Sequence, residues 1–326
     1  MYNIYQKHEP SEEWKELESW TQTNLGVEAI YWERESFFAI RMALRAIHVK
    51  EGDYLLLSAL SHPLVYQAAR SLGCQILFID VNQNNAQLNL EVLEHFLSLA
   101  TIVNEKDELI YRKDNACIRA IILDYPLAVY QGAETLVFTA QRYQLKVLED
   151  FSGLPLKGRH KGKGPGTHGD LSLTRLKYGT ILLKNPARPS LSLGLGSGII
   201  DTSFLENYIN PSRMALEPQE ARTIFYDLMY SPDSPEQVLS EAAPQLLKAS
   251  NFASWEGNSN TALNIYFTAQ NEGMDTLADS IGYQLESLMP DRSKELKEHT
   301  FLNKNKVALK FLAEAVIFRD VQNYFE

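Results

Sequence analysis

The chain has 326 residues, 45% hydrophobic and 22% charged, with a formal net charge of −10. That length predicts roughly two domains, and the composition is that of a soluble globular protein. The acidic balance speaks against a nucleic-acid-wrapping surface or an anionic-membrane anchor, and no run approaches the ~20 apolar residues of a membrane span.

In chain order, "MYNIYQKHEPSEEW" has no apolar run, so no signal peptide is expected and the compartment is read as cytoplasm. Residues 10–25, "PSEEWKELESWTQTNL", predict an amphipathic helix with Ser11 as its N-cap and acidic residues in the first turn. A strand "GVEAIYW" and an apolar helix "SFFAIRMALRAI" follow. An alternation then begins: "YLLLSA", "PLVYQAARSLG", "CQILFIDV", "LNLEVLEHFLSLA", a charged link, "IRAIILDY", "AETLVFTAQRYQ" and "LKVLED". Short Ile/Leu/Val strands, each followed by a helix, predict a parallel sheet covered on both faces. Ligands of such sheets sit beyond the carboxyl ends of the strands. The positions to watch are therefore Ser58 to His62, Asp124 and Tyr125, and Glu149 to Ser152.

Beyond about residue 200 the alternation stops. Segments such as "SFLENYI", "EPQEARTIFYDLMY", "SPEQVLSEAAPQLLKA", "GMDTLADSIGYQLESLM" and "NKVALKFLAEAVIFRDVQNYF" read mostly as helices, with strand candidates weak except at the end of the chain. The expected division is a large α/β domain over residues 1–200 and a smaller, mainly helical C-terminal region over 201–326. Two cysteines, Cys74 and Cys117, without CxxC or Cys/His spacing, predict buried reduced thiols rather than a metal site or disulfide. "GLGSG" at 194–198 lacks the strand-to-helix context of a dinucleotide fingerprint and reads as a loop. The basic stretch Lys157, Arg159, His160, Lys161 and Lys163 reads as a solvated loop, with phosphate attraction as the alternative.

Asp150 is the first candidate for chemistry, because it ends a buried strand at the ligand-facing edge. A carboxylate there can bind a cofactor cation such as the protonated pyridine nitrogen of pyridoxal 5′-phosphate, PLP. The stretch 119–150, "RAIILDYPLAVYQGAETLVFTAQRYQLKVLED", resembles without a gap a segment of the DegT/DnrJ/EryC1/StrS sugar aminotransferases that ends in Ile/Val-Glu-Asp. Residues 43–82 resemble that family's "ALxALGIxxGDEVIxPxxTFxATxxAxxxxGAxPxFxDVD", and "KGRHKGKGPGTHGD" its "KGxxxGxxGD" loop. The resemblance covers residues 10–185. It implies the three-layer PLP-dependent transferase fold, of the aspartate aminotransferase kind, and a PLP-dependent aminotransferase acting on a keto-sugar nucleotide with an amino donor. A homodimer is implied in the same way.

Carried over by position, the resemblance makes Asp150 the pyridinium partner, His62 the residue that stacks on the ring, and Ser172 a phosphate ligand. Ser36-Phe37 stands where the family has Gly-Thr at a phosphate-binding helix N-terminus, and "DFSG" where it has Asp-Ala-Ala-Gln/His. Two alignments of "DLSLTRLKYGTILL" compete for the lysine that forms the imine. In one, Ser172 and Lys177 keep the family's serine-to-lysine interval and Lys177 is catalytic. In the other, Arg175 stands at the lysine position; a guanidinium stays protonated and is a poor nucleophile, so PLP chemistry is lost. The expected function is accordingly the aminotransferase. Its alternative is a degenerate, non-catalytic aminotransferase-fold protein with a binding or regulatory role.

Overall fold

The computed structural model describes residues 10–82, 87–125, 133–152, 154, 164–176, 178–186, 200–203, 205–209 and 216–229, and three strands further on. Those strands are Tyr266–Thr268, Tyr283–Ser287 and Ala315–Asp320. Helix α1 spans Glu12–Leu25, and Ser11 caps it as expected, its Oγ accepting from the Trp14 N–H at 3.2 Å. Strand β1 (Ala29–Glu33) and helix α2 (Ser36–Ala46) follow. Then come β2 (Tyr54–Ser58), α3 (Pro63–Ser71), β3 (Gln75–Ile79) and α4 (Leu90–Ala100). The charged link folds into a hairpin of β4 (Thr101–Val103) and β5 (Leu109–Tyr111), which its polar sequence conceals. Strand β6 (Ile118–Asp124), helix α5 (Ala133–Arg142) and strands β7 (Lys146–Asp150), β8 (Leu171–Leu176) and β9 (Gly179–Lys184) complete the alternation.

Seven strands form one sheet in the order β1-β9-β8-β7-β6-β2-β3. Strands β3, β2, β6, β7 and β8 run parallel, and β9 pairs antiparallel with both β8 and β1. Each strand is apolar on both faces, because helices cover both. Leu55, Leu57, Phe78, Ile122, Leu148, Leu173 and Leu182 pack under α2 and α3. Their alternate neighbours, including Leu56, Leu77, Ile121, Leu123, Val147, Ile181 and Trp32, pack under α1, α4 and α5. This is a three-layer α/β/α body, as the resemblance implied.

The β8–β9 hairpin leaves only residues 177 and 178 between its strands, with Leu176 paired to Gly179. Gly179 has φ +140, and a Cβ there would come within 2.6 Å of the Glu33 carbonyl and 2.8 Å of Trp32 Nε1. Glycine is the residue that lets this hairpin press against β1.

A π-helical turn at Leu205–Ile209 and helix α6 (Pro218–Met229) follow. Helix α6 lies on α1: Trp20 and Phe225 meet edge to face at 5.7 Å, and Arg222 bonds Glu13 at 2.7 Å. Arg34 grips Glu220 through both guanidinium Nη atoms at 3.0 and 2.9 Å. Beyond α6, within the region expected to be mainly helical, the described residues are strands. Strands β10 (Tyr266–Thr268), β11 (Tyr283–Ser287) and β12 (Ala315–Asp320) form a separate antiparallel sheet in the order β10-β12-β11. Strand β11 falls inside a segment that reads as a helix, because its short apolar run fits either period, and β12 falls near the end of the chain, where a strand candidate stands. The expected helix "SPEQVLSEAAPQLLKA" and the "GLGSG" loop lie outside the described residues, as do Lys157 to Lys163 of the basic loop.

Candidate active site

The sheet places its chemistry by strand parity. Side chains alternate between faces along a strand. Asp124 therefore shares a face with Ile122, Asp150 with Leu148, Arg175 with Leu173 and Thr180 with Leu182, all on the α2/α3 side. All four lie at the carboxyl edge of the parallel strands, where β9 begins. The strand order reverses between β2 and β6: the chain runs outward from β2 to β3, then returns to the other side of β2. A crevice at that reversal is the usual ligand position in doubly wound sheets. Across it, the Ser61 hydroxyl donates to Asp124, joining the β2–α3 turn to the end of β6.

Asp150 is 3% exposed, and each of its carboxylate oxygens accepts a hydrogen bond. Its Oδ2 accepts from Arg175 Nη2 at 3.0 Å, and its Oδ1 from the Ser152 N–H at 3.1 Å. Ser152 Oγ in turn accepts from the Arg175 backbone N–H at 2.8 Å and from Arg175 Nε at 3.1 Å. The guanidinium is thus held at both ends, with 20% of its side chain exposed. The opening ambiguity between positions 175 and 177 is therefore resolved in one respect. The cation opposite Asp150 is Arg175. Lys177 lies outside the described residues.

His62 caps α3, its Nδ1 accepting from the Leu64 N–H at 3.1 Å. Ser36 opens α2, and its Oγ accepts from the Thr180 hydroxyl at 2.7 Å. Phe37 packs on the core of the same face, with the Arg41 guanidinium 5.8 Å from its ring centroid. Ser36, His62 and Asp150 are thus brought to one edge and one face.

Ser172 is not. It alternates with Leu171 and Leu173 and points to the other side, where its hydroxyl donates to Glu149 Oε2 at 3.1 Å and accepts from Asn185 Nδ2 at 2.9 Å. The expected role of Ser172 as a phosphate ligand beside Asp150 is corrected accordingly: three residues from Arg175 on a strand, it faces the opposite way. Glu149, wholly buried, accepts there from the Tyr125 hydroxyl, the Ser172 hydroxyl and the N–H groups of Gly166, His168 and Gly169 at 2.7–3.1 Å. These bonds pin the glycine-rich loop to the strand that carries Asp150. Sequence reading noted Glu149 only as a strand-end position; its adjacency to Asp150, one residue out of phase, was the available signal. Cys74 and Cys117 are free thiols, the first buried and the second, against expectation, only half-buried; burial pushes the pKa of both up to about 11.

A sequence profile of the DegT/DnrJ/EryC1/StrS aminotransferase family matches residues 36–174, the span that holds Ser36, His62, Asp150 and Ser172. Over that span, somewhat less than half of the chain, the sequence is similar to that family. No curated protein matches the sequence. Among solved structures it is similar to a DegT/DnrJ/EryC1/StrS aminotransferase from Brucella abortus, at 14% identity and a TM-score of 0.67, covering 96% of this chain and 86% of that one. It is also similar to Escherichia coli GDP-4-keto-6-deoxy-D-mannose-3-dehydratase with bound hydrated PLP (13% identity, TM-score 0.63, 96% and 89% covered). A third is Helicobacter pylori PseC, an aminotransferase of pseudoaminic acid biosynthesis (12%, 0.60, 94% and 85%). At such identities the likeness establishes the PLP-type fold.

PLP is the cofactor that the similarity to the DegT/DnrJ/EryC1/StrS family implies, and the carboxyl edge of the sheet can be tested against it. Both oxygens of Asp150 are already taken, one by a permanent cation that is itself held by Ser152. As these side chains stand, the residues do not fit the cofactor's ring nitrogen.

Proposed function

We propose that the protein is a PLP-dependent aminotransferase acting on a keto-sugar nucleotide, in a resting form where Arg175 covers Asp150. The supporting observation is placement. A buried carboxylate ends β7, one strand beyond the reversal between β2 and β6, on the face that also receives the starts of α2 and α3, within the span that matches the aminotransferase family. PLP, when bound, supplies an electron sink that the side chains lack. In this reading Lys177 supplies the reactive primary amine, Asp150 the carboxylate for the ring nitrogen and His62 the stacking imidazole. Ser36 and Phe37, at the N-terminus of α2, supply backbone N–H groups and a hydroxyl for a phosphate. The same reading makes the protein a cytoplasmic homodimer whose ligands are the sugar nucleotide and an amino donor. The net charge of −10 supports the absence of nucleic-acid and membrane partners.

One observation favours a second reading, a non-catalytic relative that keeps the scaffold for binding or regulation: the ion pair between Arg175 and Asp150. Absorbance separates the two. The aminotransferase reading expects a band at about 420 nm when purified protein is mixed with PLP, lost in Lys177→Ala. The second expects no such band in either protein, and that result would retire the first reading.

A further inference from the structure

We infer that Arg175 is a built-in cation that takes the place of the cofactor's ring nitrogen at Asp150, so that PLP-type ligands enter this crevice only in competition with it. The inference rests on the reading of the crevice as the family's cofactor pocket. It concerns how that pocket is controlled, and it does not depend on which residue reacts.

The geometry favours the internal cation on three counts. Leu173 is the register partner of Asp150, so Arg175 stands two residues further along the adjacent strand, within the reach of its own side chain. The charge needs no delivery, and a tethered group acts at an effective concentration of order millimolar or more. Second, the guanidinium is charged at every pH the protein meets, whereas a pyridine nitrogen must first take up a proton. Third, the arginine is held away from Asp150 as well as by it. The Arg175 N–H and Nε both donate to Ser152 Oγ, and the Ser152 N–H donates to Asp150 Oδ1, so the three residues form one closed ring of hydrogen bonds. A ligand cation that displaced the guanidinium would have to break its Nη2 bond to Asp150 and its Nε bond to Ser152 together, while the backbone N–H of Arg175 keeps Ser152 in place. If the displaced form is populated at about 1%, the apparent affinity for such a ligand falls about 100-fold.

The test uses 4′-deoxypyridoxine 5′-phosphate, which carries the pyridine ring and phosphate but no aldehyde, and so reads the crevice without any lysine. Its dissociation constant is measured by calorimetry on full-length wild type, Arg175→Gln and Ser152→Ala, and on Arg175→Gln combined with Asp150→Asn. Arg175→Gln is expected to bind at least ten-fold more tightly than wild type, and Ser152→Ala by a smaller factor in the same direction. The added Asp150→Asn is expected to remove the gain. Equal binding by wild type and Arg175→Gln would overturn the inference, as would no binding by any variant, since Arg175 would then not be what closes the crevice. Should Arg175→Gln fail to fold, Ser152→Ala carries the same comparison. A 420 nm band that fails to form with PLP, beside tightened binding of the aldehyde-free probe in Arg175→Gln, would sink the catalytic reading and leave this one standing.

Discussion

Arg175→Ala is expected to lower the unfolding free energy by about 3 kcal/mol, the lower end of the range for breaking a buried ion pair. The reason is what it leaves behind. Asp150, 3% exposed in the wild type, keeps only the Ser152 N–H, while Ser152 Oγ loses the Nε donor and keeps the backbone N–H of residue 175. Because the guanidinium itself is partly exposed, the upper end of the range does not apply. Asp150→Asn is expected to cost less, since an amide oxygen still accepts and Arg175 retains Ser152. Combining the two should show a coupling of about 1–3 kcal/mol in a double-mutant cycle, read from urea unfolding midpoints at constant m-value. Additive effects, with no coupling, would mean that the two side chains do not pair in solution.

A larger loss is expected one residue away. Glu149→Ala removes the acceptor for five donors: three backbone N–H groups and the hydroxyls of Tyr125 and Ser172. Each buried donor left without a partner costs about 1–3 kcal/mol, and relaxation of the loop recovers part of that. The expected net loss is about 4 kcal/mol or more, close to the whole stability of a marginal domain. Glu149→Gln should cost roughly half as much, because one amide oxygen still accepts while the NH2 group faces donors. Loss of the carboxylate should also free the segment from Gly166 to Gly169, which amide hydrogen exchange would report as lost protection. A Glu149→Ala protein within 1 kcal/mol of wild type, on the scale of an ordinary surface substitution, would contradict this reading of the network.

The parallel sheet was legible because its strands are short, continuous and apolar and most are followed by a helix, the pattern of a sheet covered on both faces. The β4–β5 hairpin was not, since "VNEKDELIYRKDN" is polar and its pairing is set by the α4 terminus it extends. Nor was β11, whose apolar run lies within a stretch with helical spacing and whose state is decided by non-local pairing with β12, the strand near the end of the chain where a strand candidate was legible. Asp150 was legible as the acid closing a buried strand. Arg175 against Lys177 was not, because two residues between β8 and β9 leave nothing against which to anchor an alignment. Parity on the strand carried more than spacing did. Ser172 and Arg175, three apart, cannot face one crevice, and placing Asp150 and Arg175 on the α2/α3 face sends Ser172 and Glu149 to the other.

Which cation meets the Asp150 carboxylate is the question on which both functional readings turn, and a crystal structure of the wild-type protein grown without added PLP answers it. The expected electron density shows a guanidinium within about 3 Å of Asp150 and in contact with Ser152. Arg175 turned out into solvent, with a lysine amine at the carboxylate instead, would contradict it.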